Sequence, residues 1–73
     1  FIGKTSTMLA EEKKDYWEGF SREYIRCYCD KSLSDGYIYN VKFTEVYENG
    51  LKVEIVGFEN DLAKNLFDKI NNL

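Results

Sequence analysis

The chain has 73 residues, 44% hydrophobic and 16% aromatic, with 13 acidic against 10 basic side chains and a net charge of −3. That length allows one domain near the lower limit for folding alone, where only about 60% of the unfolded surface is buried. No apolar run is long enough for a membrane span or a signal peptide, and the acidic balance confines any nucleic-acid contact to a local patch.

Phe1 opens the chain without an initiator methionine, which is read as the mark of a fragment cut from a longer protein. Lys4 to Glu12 reads as a first strand with Leu9 as its core residue, and Lys13, Lys14 and Asp15 as a charged turn. Tyr16 to Ser21 is a second strand, and Gly19 in its middle predicts a bulge or bend of the kind small barrels use to close. Arg22 and Glu23 form a tight connection to a third strand, Tyr24 to Asp30.

In that third strand, period two sets Ile25, Cys27 and Cys29 against Tyr24, Arg26 and Tyr28. The first set is small and apolar, so it is expected inside. The second is then an outward row of ring, cation and ring, which suits stacking of nucleic-acid bases beside a guanidinium. Tyr16, Trp17 and Phe20 add to the aromatic density just upstream, and a bulge at Gly19 leaves the facing of Trp17 and Phe20 open.

Lys31 to Gly36 is a polar loop ending in Asp-Gly. Tyr37 to Tyr47 is a long strand in which Val41 and Phe43 share a face and Lys42, Thr44 and Val46 the other. Asn49-Gly50 predicts a type I′ hairpin turn, with positive φ at both central residues. Leu51 to Val56 returns as a fifth strand. The period then changes to that of a helix. Leu62, Leu66, Phe67, Ile70 and Leu73 form one apolar stripe, capped by Asn60 or Asp61. The pattern predicts an all-β, small five-stranded antiparallel barrel over 1–58 with an amphipathic α-helix over 59–73 packed on it.

Two cysteines and no histidine do not supply the four ligands of a tetrahedral metal site, and two thiols on one strand face are read as core. So few cysteines make no disulfide scaffold, and a reducing cytoplasm is the expected setting. The carboxylates Glu11, Glu12 and Asp15 have no nucleophile or base to work with, so no catalytic residue is assigned.

Three segments in order, FIGKTSTMLAEE, YWEGFSREYIRC and VKFTEVYENGLKVEIV, resemble the TRAM domain at the C-terminus of tRNA methylthiotransferases. Gly3, Lys4, Leu9 and Glu11 (or Glu12) resemble its G-K-x-x-x-x-L-x-E opening. Gly19, Ser21, Glu23 and Tyr24 are similar to its G-x-T-x-N-Y segment. Val41, Phe43, Thr44 and Leu51 resemble its closing V-x-I-T hairpin. Tyr24 and Ile25 lean toward the branch that modifies threonylcarbamoyladenosine. The likeness covers Phe1 to about Val56 and leaves the helix outside it. Glu23 stands where the family has Asn, placing an acid near phosphate, and Cys27 stands where valine is usual.

The resemblance implies a barrel that holds tRNA while an upstream radical S-adenosylmethionine domain, with its 4Fe-4S clusters, modifies the adenosine beside the anticodon. The fragment itself would be a monomer without a cofactor, contacting tRNA and the parent's catalytic domain. The candidate RNA-binding residues are Lys4, Tyr16, Arg22, Tyr24, Arg26, Tyr28 and Lys42, with Lys13 and Lys14 as further phosphate contacts. The competing expectation is a protein-interaction barrel that docks on a partner or on that catalytic domain.

Overall fold

In the computed structural model, which describes residues 1–72, five strands close into a barrel and one helix follows. The strands are β1 (Thr5–Lys13), β2 (Trp17–Ser21), β3 (Arg26–Cys29), β4 (Ile38–Tyr47) and β5 (Gly50–Phe58), and the helix is α1 (Asp61–Asn71). Neighbours run in the order β1-β2-β3-β5-β4, and β4 returns to β1. All pairs are antiparallel except β3 with β5. The exception is forced, because directions cannot alternate all the way round an odd-membered ring. The antiparallel barrel expected from the sequence is thus correct for every pair but this one.

The interior is filled by Met8 and Ala10 from β1, Cys27 and Cys29 from β3, Tyr39, Val41 and Phe43 from β4 and Val53 from β5. The buried phenol of Tyr39 accepts a hydrogen bond from the Ser34 amide at 2.9 Å. Leu9 corrects the first-strand expectation. It is 42% exposed, because period two turns it outward when Met8 and Ala10 face in. The small residue wins the inner place because β1 and β2 approach closely there. Ala10 pairs with Gly19, and a Cβ on Gly19 would lie 1.9 Å from the Leu9 carbonyl oxygen. Gly19 therefore serves close approach, and the bulge lies across from it, between Ala10 and Glu12 of β1.

The β4–β5 turn also differs by one residue from its prediction. Tyr47 pairs with Gly50, so Glu48 and Asn49 are the central residues, and Glu48 carries the positive φ of 52°. Gly50 belongs to β5, where a Cβ would meet the Arg26 carbonyl oxygen at 2.1 Å. The expected type I′ Asn-Gly turn is therefore not formed: neither Asn49 nor Gly50 has positive φ, and the glycine serves the β3 contact instead.

Asn60 caps α1, its Oδ1 accepting from the Leu62 amide at 2.7 Å. The side that meets the barrel is Ala63, Phe67 and Asn71. Ala63 is fully buried, and the Phe67 ring lies 5.2 Å from Phe58 and 6.5 Å from Tyr39. Asn71 ties the helix to the β3–β4 loop by accepting from the Ser32 amide at 3.0 Å and donating to the Ser32 carbonyl at 2.9 Å. Of the expected stripe, Leu62 and Ile70 are 54% and 40% exposed, so the buried side is rotated away from them. Leu73 lies outside the described residues.

Candidate nucleic-acid interface

With Gly19 and Ser21 facing the interior, Glu18 and Phe20 of β2 face outward, opposite Tyr28 and Arg26 of β3. The β1–β2 turn contributes Lys14 and Tyr16, and the β4–β5 turn contributes Asn49. In small oligonucleotide-binding barrels, the outer face of strands 2 and 3 between these two turns is the common ligand surface. Two shallow recesses of about 380 and 220 Å³ lie on the corresponding face of this barrel, and Tyr16, Tyr24, Arg26 and Tyr28 all line one or both.

The expected ring, cation, ring row is corrected in two ways. First, β3 begins at Arg26, and Tyr24 lies in the preceding turn at φ 64° with 87% of its surface exposed. Ser21 shapes that turn, its Oγ accepting from the Glu23 and Ile25 amides, each at 3.2 Å. Second, Tyr28 is on the outer side as expected but only 7% exposed. The rings of Tyr16 and Tyr47 cover it at 6.5 and 4.9 Å, and its hydroxyl donates to Asn49 Oδ1 at 2.7 Å. The ammonium of Lys52 lies 5.2 Å from the Tyr16 ring and 4.9 Å from that of Tyr47, and its pKa is raised, first by its hydrogen bond with Tyr16 and then by Glu45.

Arg26 is bound by its own protein. Its Nε donates to Glu18 Oε1 at 3.0 Å, and Nη2 donates to the same oxygen and to Glu12 Oε1, the latter at 2.9 Å. The hydrogen bond it donates to Glu18 is the main cause that raises its pKa. Its carbon Cζ sits 5.0 Å from the centre of the Phe20 ring. The guanidinium is therefore a plate fixed on Phe20 with its charge already balanced, and Glu18, 7% exposed, depends on it.

The remaining candidates divide. Arg22 is exposed beside Tyr24 and shares with Leu9, Phe20 and Ile38 a groove of about 380 Å³. Lys4 and Lys42 are exposed but sit at the β1–β4 edge, where Lys42 pairs with Thr5 and opposes Glu54. They do not join the β2–β3 surface. Glu23, the acid in the family's Asn position, accepts from Ser6 Oγ at 2.7 Å, and chiefly for that reason its carboxyl pKa is lowered.

Phe20, whose facing the sequence left open, Asn49, read only as a turn residue, and Glu18, not singled out by sequence, complete the surface. The usable signal was the inward demand of Gly19, which settles the phase of β2, but that demand is visible only once β1 is laid beside it.

Cys27 and Cys29 are fully buried, as period two indicated, and burial pushes their thiols up to about 12 and about 11. Among the described residues no helix is long and apolar enough to cross a membrane. No family model, curated protein or solved structure matches the chain.

Proposed function

We propose that the barrel binds single-stranded RNA on the β2–β3 outer face, and that the RNA is the anticodon arm of a tRNA presented to a modifying domain of the same polypeptide. The observation that carries this reading is Tyr24. A bulky residue held at positive φ and 87% exposed is costly for a turn and useful as a ring offered to solvent. Phe20 beside it, 41% exposed and backed by the Arg26 plate, is a second stacking surface. The tRNA assignment and the methylthiotransferase parent rest on the resemblance in the three motif segments. The 4Fe-4S clusters and S-adenosylmethionine of such a parent belong to residues outside this chain, since both thiols here are enclosed in the barrel.

Stacking gives about 1–3 kcal/mol per base, so two bases supply roughly 4 kcal/mol, about millimolar affinity. The isolated domain is expected to bind weakly and to act through tethering, which raises its effective concentration on a tRNA already held elsewhere. The test is a titration of tRNA followed by tyrosine and tryptophan fluorescence at two salt concentrations. Saturable changes that fade with salt are expected, and no change at low salt would end the reading.

Arg26→Ala is a poor probe, because it strands the buried Glu18 carboxylate. Tyr24→Ala and Phe20→Ala are better. A second reading, a protein-docking barrel, is favoured by one observation. Ile38, Leu9 and Phe20 stand in register across β4, β1 and β2, each at least 41% exposed. Leu9→Ser separates the two, for it would abolish docking on the catalytic domain and leave the affinity for tRNA within about twofold.

A further inference from the structure

We infer that the recess between Glu18, Phe20, Tyr24, Arg26, Tyr28 and Asn49 is a pocket for one unstacked base whose Watson–Crick edge donates hydrogen bonds, with guanine preferred. This rests on the RNA-binding reading of the same face and adds what the face selects. The argument starts from the two oxygens of Glu18. Both bonds from Arg26 fall on Oε1. No hydrogen bond among the described residues falls on Oε2, yet no enclosed buried oxygen is left unsatisfied, so Oε2 is open to solvent on a residue that lines the recess. A carboxylate oxygen only accepts.

Asn49 stands at the other side, and its Oδ1 is taken by the Tyr28 hydroxyl, which leaves its Nδ2 as a donor. The recess therefore offers one acceptor, one donor and two rings, in about 380 Å³. Guanine complements all of these: N1–H and the N2 amino group donate to Glu18, O6 accepts from Asn49, and the ring stacks. Adenine and cytosine bring one amino donor each beside a ring-nitrogen acceptor, one donor fewer than guanine places on Glu18. Uracil brings a single N–H flanked by two carbonyl oxygens that would face the carboxylate. The Arg26 guanidinium orients Glu18 and balances its charge, so the carboxylate does not repel the strand as a lone acid would.

The test uses four pentaribonucleotides, UUGUU, UUAUU, UUCUU and UUUUU, titrated into the whole chain by NMR, with tRNA as a parallel titrant. The expected result is about tenfold tighter binding of UUGUU than of UUUUU, with the amide signals of Phe20, Tyr24 and Asn49 moving most. In Glu18→Gln, whose amide can still accept from Arg26, the guanine preference should fall to twofold or less while UUUUU binding persists. If that variant does not fold, the shifts of the parent with guanosine monophosphate against uridine monophosphate decide the matter alone. Equal binding of all four pentamers, or binding of tRNA with none of them, overturns the base pocket and leaves the RNA reading standing. Failure of tRNA itself to bind removes both.

Discussion

Tyr24 is where local cost and proposed use meet. A left-handed backbone costs a side chain with a Cβ roughly 1–2 kcal/mol, and nothing in the turn requires a ring. Tyr24→Gly is expected to raise stability by about 1 kcal/mol and to weaken RNA binding several-fold. Urea denaturation and the tRNA titration read the two effects separately, and a Tyr24 that only shapes the turn would show the first alone. The thiols make a second residue-scale prediction. Their pKa values are raised to about 12 and about 11 from an ordinary 9.0, so the unfolded chain loses these protons first as pH climbs. Their contribution is whole below pH 9 and is lost from there toward 11 and 12. The slope is about 1.4 kcal/mol per pH unit for each thiol still protonated only in the fold. The pair variant Cys27→Val, Cys29→Ala should flatten the stability profile above pH 9 relative to the parent, as read by urea melts across that range.

The elements show why one-residue placement matters more than strand existence. β1, β2, β4 and β5 lie close to where alternation puts them, yet the inward face of β1 is Met8 and Ala10, with Leu9 outside. Gly19 and Gly50 look alike in the sequence and do the same work in the barrel, each letting a neighbouring strand's carbonyl come close. The helix is held by few groups, and Asn71 is the chief polar one, bonded to both backbone groups of Ser32 and to the Phe67 carbonyl at 2.9 Å. Asn71→Ala should cost about 1–2 kcal/mol and speed hydrogen exchange in α1 more than in β4. Ile70→Ser, at a position 40% exposed, should change either measurement much less.

At the scale of the whole molecule, a net charge of −3 and a self-neutralised Arg26 leave few cations free to meet phosphate. Three phosphate contacts on single-stranded RNA would give a log–log salt slope near about −2. With Arg26 engaged by Glu12 and Glu18, and Lys4 and Lys42 on another edge, Arg22 and an exposed Lys14, only loosely paired with Glu12 at 3.7 Å, remain beside the face. The expected slope is then about −1.4, and Lys14→Ala should lower its magnitude by about 0.7. A slope of about −3 or steeper would mean that RNA runs over a different surface. Affinity of this kind would come from rings more than from charge, as the proposed positioning role requires.

The order of elements, the barrel class, the capped helix and the inward thiols were all present in the residues, because alternation, turn chemistry and helical period are properties of neighbours along the chain. So was the wealth of rings and cations near Tyr16 to Tyr28. What only the closed barrel decided was which of these stay available. Tyr28 is covered by Tyr16 and Tyr47, Arg26 is balanced by Glu12 and Glu18, and Lys42 is carried to a different edge. Each outcome depends on a partner from another strand, and strand register sets those partners through close packing around Gly19 and Gly50 that no local pattern encodes.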